Sequence, residues 1–155
     1  MASEKLLKFI REGGISAEAI EFSGSVHTVA DAAKEAGVGE EDLIKTVVGL
    51  AGDAPFVAVL PGNRKLDFTK MRALLGTGKV SIARPERVLS ITGYPVGGVP
   101  PVFEGAEGIG FFFIDRAVLS REFVLGGGGD SKSLLKISPA EILRITKGTL
   151  AEISV

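Results

Sequence analysis

The chain has 155 residues, a hydrophobic fraction of 45% and a formal net charge of −1. These values predict a globular protein with a sizeable core and argue against a disordered chain or a generally basic nucleic-acid-binding protein. The absence of cysteine excludes thiol nucleophiles, disulfides and cysteine-ligated zinc, and a single histidine, His27, excludes multi-histidine metal sites. No apolar run could span a bilayer and no signal peptide is evident, so we expect a cytoplasmic protein without membrane association.

Capping patterns predict the helices. Ser3, Thr28, Asp67 and Ser138 each have the side chain and the following pattern of a helix N-cap, and Pro85 suits the first position of a helix. Glycines are expected to end four of these five helices, at Gly13-Gly14, Gly37, Gly76 and Gly93. The helix that begins after Ser138 is the last of the chain.

Apolar and β-branched runs predict the strands. Residues 43–50 and 55–62 flank a turn at Gly52-Asp53, and we expect them to pair as an antiparallel hairpin. Further strands are predicted at residues 19–22, 79–83, 109–114, 122–125, 134–137 and 149–155, with a short helical turn at 116–121. Because no repeat or linker interrupts this series, residues 1–155 are predicted to form one mixed α/β domain around a substantial sheet.

Two glycine-rich segments and one lysine stand out from this pattern. The segments GYPVGGVPP (93–101) and GGGGDSKS (126–133) are either rigid connections or loops that offer backbone N–H groups to a ligand. Two segments can be compared with the phosphate-binding loop, and neither fits. GGGGDSKS lacks the glycine before its lysine, and GTGKV has Val80 in place of serine or threonine. Lys45 lies in the apolar strand LIKTVVGL, where its ammonium must reach the strand edge or meet an anion.

The positive charge of the chain is concentrated in one block. Residues 64–87 contain seven lysines and arginines against Asp67 and Glu86, whereas residues 1–63 are acidic. Such a block is equally typical of a phosphate-contacting face and of a solvated surface.

A series of motifs resembles a known family. In order along the chain they are TVADAAKEAG, LIKTVVGL, VAVLPGNRKLDFTKM, ARPERVLSITGYPVGGVPP, FFFID and LLKISPAEILRIT. Over residues 17–155 this series resembles the YbaK/ProX family of aminoacyl-tRNA deacylases, free-standing relatives of the prolyl-tRNA synthetase editing domain. The resemblance implies an α/β mixed (α+β) single domain with a curved, largely antiparallel β-sheet flanked by helices.

The resemblance also implies the activity. The expected reaction is hydrolysis in trans of the ester in misacylated tRNA, with Cys- or Ala-tRNA(Pro) as expected substrates, as part of translation quality control. The chemistry would be largely substrate-assisted, through the ribose 2′-hydroxyl or, for a cysteinyl ester, the thiol of the substrate. No metal or organic cofactor is expected, and prolyl-tRNA synthetase is a candidate partner.

The residues expected to carry this reaction follow from the same resemblance. Lys45 would engage the charged 3′ end or the ester carbonyl, and the backbone N–H groups of Gly97, Gly98 and Val99 would face that carbonyl. Pro100 would hold the loop in shape. Further candidate substrate contacts are Thr46, Gly127, Gly128 and Asp130. Candidate tRNA contacts are Arg64, Lys65, Lys70 and Arg72.

Specificity and some roles stay open. Relatives that edit alanyl esters tend to carry a histidine at a position that falls near Gly127 here, so this chain is more similar to the cysteinyl type. His27 matches no family motif and is interpreted as a surface residue beside the Thr28 cap, while Asp115 and Asp130 are interpreted as turn caps. The alternative function is a non-catalytic aminoacyl- or nucleotide-binding or synthetase-docking module of the same fold.

Overall fold

The computed structural model describes residues 3–155; Met1 and Ala2, which the predicted domain includes, lie outside the described residues. Within this range the chain has five α-helices and eight β-strands. The helices are α1 Glu4–Glu12, α2 Val29–Ala36, α3 Phe68–Leu75, α4 Pro85–Thr92 and α5 Pro139–Thr146. The strands are β1 Ala17–Glu21, β2 Ile44–Ala51, β3 Ala54–Pro61, β4 Val80–Ile82, β5 Phe111–Asp115, β6 Val124–Gly127, β7 Ser133–Ile137 and β8 Thr149–Ala151.

The predicted N-caps are confirmed. The Thr28 hydroxyl accepts from the backbone N–H of Asp31, and the Ser138 hydroxyl accepts from that of Glu141, each at 3.1 Å. The Asp67 carboxylate accepts from two N–H groups at the start of α3. These bonds satisfy backbone donors that the first turn of a helix leaves free, which explains why the helices begin where they do.

The strands form two sheets, with the orders β1-β7-β6 and β4-β2-β3-β5-β8. The β2–β3 hairpin is antiparallel, as predicted, and places Lys45 opposite Leu60. Only the β3–β5 and β5–β8 pairs are parallel among the described strands, so the mixed α/β class and the largely antiparallel pairing are confirmed. The expectation of one sheet is corrected, because the described strands form two sheets, which within residues 3–155 are linked by an isolated bridge from Leu43 to Leu125.

Strand boundaries differ from the predictions by up to four residues, and three strands show why. The strand predicted at 109–114 begins at Phe111, because residues 106–108 form a 3-10 turn. The strand predicted at 122–125 instead ends at Gly127, inside the glycine run. The last strand ends at Ala151, and beyond it Val155 and Lys65 exchange two backbone hydrogen bonds, of 2.8 and 3.1 Å.

Strand β3 is buried on both faces. Val57 and Val59 belong to the main core, which also contains Leu135 and Ile137 of β7 and therefore lies between the two sheets. Phe56, Ala58 and Leu60 belong to a second core that includes Met71 of α3. Alternate side chains of a strand point to opposite faces, so β3 anchors its neighbour β2 from both sides.

Candidate active site

A cavity of about 170 Å³ opens beside the first residues of β2. Of the predicted site residues, Lys45, Thr46, Gly97, Val99 and Gly127 line it. The two sheets and the glycine–proline loop therefore bring together residues that are far apart in the chain. We call this cavity the Lys45 pocket.

Lys45 is half-buried in the pocket wall and is not paired with an acid. None of the ion pairs within residues 3–155 involves its ammonium. Burial, and secondarily the positive charge of Lys65, lower the pKa of Lys45 below its ordinary value. A partly desolvated ammonium without a counter-ion is a suitable partner for a carbonyl oxygen or a phosphate.

The glycine–proline loop does not expose its N–H groups equally. The N–H of Gly98 donates to the Pro95 carbonyl oxygen at 3.0 Å, and the Gly98 carbonyl oxygen accepts from the N–H of Gly129 at 2.8 Å. The expectation that Gly98 offers its N–H to a substrate is therefore corrected, because a turn already uses it. Within residues 3–155 the N–H groups of Gly97 and Val99 have no hydrogen-bond partner, and both residues line the pocket.

The glycine run of β6 lets two stretches of backbone touch. A side chain at Gly127 would collide with the carbonyl oxygen of Val99, and one at Gly128 would collide with the carbonyl group of Ser133. Gly128 is buried behind the pocket and does not line it. The run is thus a packing requirement of the fold.

Two aspartates cap turns, as the sequence predicts. Asp130 Oδ1 accepts from the N–H of Lys132 at 2.9 Å, and Asp130 lies outside the pocket lining, so its expected substrate contact is not part of this geometry. Asp115 Oδ1 accepts from the N–H of Ala117, also at 2.9 Å. Pro100 is buried and likewise does not line the pocket, so its contribution is to the shape of the loop.

Sequence reasoning missed His27. This side chain is exposed, lines the Lys45 pocket and lies so close to Gly97 that a methyl group there would collide with the imidazole ring. The available signal was its place before the Thr28 cap, because the start of α2 borders the start of β2. His27 is exposed, as the interpretation as a surface residue requires, but it lies at the Lys45 pocket and not on a surface apart from the site.

The Thr46 hydroxyl is the second unusual polar group of the pocket. Its Oγ1 atom is buried and has no hydrogen-bond partner within residues 3–155. Most buried hydroxyls are satisfied, so an unpaired one beside a cavity indicates a position where a ligand can supply the missing bond.

The four predicted tRNA contacts are all exposed, and none lines the Lys45 pocket. Arg64 donates from Nη1 to Ser154 Oγ at 3.3 Å, and Lys70 donates from Nζ to the Ser154 carbonyl oxygen at 3.0 Å. These two residues thus hold the C-terminal segment. Arg72 donates to Thr69 Oγ1 at 3.4 Å. Lys65 is the residue of this set whose charge acts on Lys45.

In the part of the chain that the structure describes, no group of three or more acidic, histidine or cysteine side chains could hold a metal ion. Over the same residues, no helix has the length and apolarity needed to cross a membrane.

The model of the aminoacyl-tRNA editing domain family matches residues 23–145. The chain belongs to this family. A related protein of Enterococcus faecalis, described as a candidate deacylase of Cys-tRNA(Pro) and Cys-tRNA(Cys), is 26% identical to this editing domain over 151 residues, which cover 96% of the chain and 91% of that protein.

Proline–tRNA ligases are also similar to this editing domain. The ligase of Geotalea daltonii is 32% identical over 117 residues, which cover 75% of the chain and 20% of the ligase. That of Nitratidesulfovibrio vulgaris strain DP4 is 36% identical over 89 residues, which cover 57% of the chain and 15% of the ligase. The chain therefore spans a fifth or less of the length of these two ligases.

Two solved structures share the fold over nearly the whole chain. The crystal structure of hypothetical protein APE2540 has a TM-score of 0.87 and 36% identity, and covers 98% of this chain and 100% of its own. A candidate trans-editing enzyme for prolyl-tRNA synthetase has a TM-score of 0.85 and 25% identity, and covers 100% of this chain and 99% of its own. The expected family and fold are thereby confirmed.

Proposed function

We propose that this editing domain acts in trans as a deacylase that hydrolyses the ester joining a wrong amino acid to tRNA. The observation that carries the proposal is the Lys45 pocket, which combines a half-buried, unpaired ammonium with two unpaired backbone N–H groups, of Gly97 and Val99. Such donors suit the negative charge that develops on a carbonyl oxygen during ester hydrolysis. As a step of translation quality control, the reaction would take place in the cytoplasm.

In the proposed mechanism the protein positions and polarises the ester, and the substrate supplies the reactive groups. The ester carbonyl accepts hydrogen bonds from the N–H groups of Gly97 and Val99, while Lys45 contacts the carbonyl oxygen or the 3′ end. Water, oriented by the ribose 2′-hydroxyl, forms a bond to the carbonyl carbon. The bond from that carbon to the ribose 3′-oxygen then breaks, and the oxygen takes up a proton. In a cysteinyl ester the thiol of the substrate can instead form the bond to the carbonyl carbon. The bond to the ribose 3′-oxygen then breaks, this oxygen takes up the thiol proton, and water hydrolyses the thiolactone to cysteine.

We place Cys-tRNA(Pro) first among the substrates and Ala-tRNA(Pro) second. Gly127 is near the position at which alanyl-editing relatives tend to carry a histidine, and a side chain at Gly127 would collide with the Val99 carbonyl. The Enterococcus faecalis relative described as a candidate Cys-tRNA deacylase supports the same order. Prolyl-tRNA synthetase is the proposed partner that would deliver the misacylated tRNA.

The test is deacylation across a panel of mischarged tRNAs, with Lys45→Met as the diagnostic variant. Loss of the ammonium should lower kcat/KM by about a hundredfold or more, as for removal of one electrostatic donor in enzymes that depend on it. Lys34→Met, at an exposed lysine of α2, is the matched control and should keep the wild-type value. Tight binding of misacylated tRNA without turnover would instead identify a non-catalytic binding module.

A further inference from the structure

A second cavity, of about 250 Å³, adjoins the Lys45 pocket. Thr46, Gly97 and Val99 line both cavities, so the two are direct neighbours. The remaining walls of the second cavity are apolar and come from β2, β4, α4 and the glycine–proline loop. We call it the Ile82 groove, after the residue at its outer edge.

Exposed aliphatic side chains flank the Ile82 groove. Ile82 on β4 is 52% exposed and Val96 in the glycine–proline loop is 46% exposed, although both could pack against a ligand lying between them. Val48 and Val88, which are almost fully buried, form part of the groove wall. A flat apolar ligand would cover surface here that water now covers.

Positive charge borders the Ile82 groove. Arg84 is exposed and stands between Ala83 and Pro85, both of which line the groove, and none of the ion pairs within residues 3–155 involves it. The two neighbouring cavities thus offer an unpaired ammonium in the first, the unpaired Thr46 hydroxyl at their common boundary, and an apolar groove with an arginine beside it in the second. These groups are complementary to the parts of a 3′-aminoacylated nucleotide, which are the ester carbonyl, the ribose hydroxyl, the base and the phosphate that the ribose carries.

We propose that the Ile82 groove binds the 3′-terminal nucleobase of the misacylated tRNA while the ester lies in the Lys45 pocket. This inference rests on the proposed deacylase function and extends it to the recognition of the substrate. An alanyl or cysteinyl side chain would fill only a small part of the groove, whereas a purine ring has the size and the flat apolar faces that the groove fits. Because the terminal base of tRNA is always adenine, stacking without base-specific hydrogen bonds is sufficient.

The test compares two substrates that share one ester, a 3′-aminoacyl-adenosine and the ethyl ester of the same amino acid. Ile82→Ser should raise KM about three- to tenfold for the aminoacyl-adenosine, because it removes apolar surface from the stacked base, and should leave the ethyl ester unchanged. Leu89→Ser is the matched control, because Leu89 is 53% exposed on α4 but lies outside the groove. It should behave as the wild type with both substrates.

Two results would overturn the proposal. Equal losses on both substrates would mean that the groove holds the amino-acid side chain, and no loss on either would mean that it holds no part of the substrate. A titration with adenosine 5′-monophosphate, followed by the methyl NMR signals of Ile82 and Val96, tests the groove without turnover. Shifts of both sets of signals in the wild type, with smaller Val96 shifts in Ile82→Ser, would keep the groove and reject the deacylase function if the protein deacylates no tRNA. Deacylation without such shifts would keep the deacylase function and reject the groove as the site of the base.

Discussion

Replacing Thr46 by valine tests whether its hydroxyl serves the substrate or the fold. Valine keeps the β-branched shape that suits strand β2, so the change removes little except the hydroxyl. Because Thr46 Oγ1 is buried without a partner in residues 3–155, the folded protein carries the desolvation cost of an unsatisfied hydroxyl, about 1–3 kcal/mol. We therefore expect Thr46→Val to raise the free energy of unfolding by about 1 kcal/mol. For a chain of this size, Tm would rise by about 2–4 °C.

The expected effect on activity has the opposite sign. If a substrate group bonds to the hydroxyl, kcat/KM for deacylation should fall about two- to twelvefold, which is the equivalent of one hydrogen bond. Thermal unfolding and initial deacylation rates measured on the same preparation provide both values. A gain in stability together with a loss of activity identifies a group that is kept for the substrate at the expense of the fold.

Thr146→Val is the matched control. The Thr146 hydroxyl is buried but satisfied, since it donates to the Ile142 carbonyl at 2.7 Å and accepts from the N–H of Gly148 at 3.1 Å. Its removal should destabilise the protein by about 1 kcal/mol without changing kcat/KM, because α5 does not line the Lys45 pocket. The reasoning would be refuted if Thr46→Val lowered the free energy of unfolding as Thr146→Val does and kept the wild-type kcat/KM.

Three further outcomes are expected. Gly97→Ala should cost about 1–2 kcal/mol of stability, because Gly97 has a φ of +85°. It should also lower kcat/KM, since the methyl group displaces the His27 ring; wild-type kcat/KM in the folded protein would contradict this. Lys65→Ala should reduce the salt dependence of tRNA binding by about one unit of slope, whereas Lys132→Ala should not; equal slopes would place the tRNA surface elsewhere. Hydrogen bonds from Arg144 lower the pKa of Glu141 to about 2, so the stability from this carboxylate is present above its ordinary pKa of 4.5 and is lost as the pH falls toward 2. Urea unfolding measures the free energy of unfolding of the wild type and of Glu141→Gln. The difference between the two should shrink as the pH falls from 4.5 toward 2, and a constant difference would refute the assignment.

Local patterns predicted most of the elements, because caps and turns depend on few neighbouring residues. The N-caps at Thr28 and Ser138 and the β2–β3 hairpin are examples, since each is decided within a short segment. The parallel pairing of β3 with β5 could not be predicted in this way, because about fifty residues separate the two strands and no turn fixes their register.

The candidate site shows the same limit. The apolar run around Lys45 and the glycine–proline loop were sufficient to identify two walls of the pocket. His27 was missed because its position depends on how α2 packs beside β2, and its place before the Thr28 cap is an indirect sign of that packing. The N–H of Gly98 was assigned to the substrate because the sequence shows a flexible backbone but not the turn to Pro95 that uses it.

The contact between the two glycine segments explains why backbone forms this wall of the pocket. Gly127 must lack a side chain for β6 to reach the Val99 carbonyl, and the hydrogen bond from Gly129 to Gly98 fastens the loop at its next residue. The loop is therefore held through its backbone. Backbone packing, and not hydrogen bonds from side chains, fixes the N–H groups of Gly97 and Val99. An ester that supplies its own hydroxyl or thiol needs fixed donors more than it needs a titrating base. The glycines that let the two backbone segments touch are thus the residues that hold the donors in place.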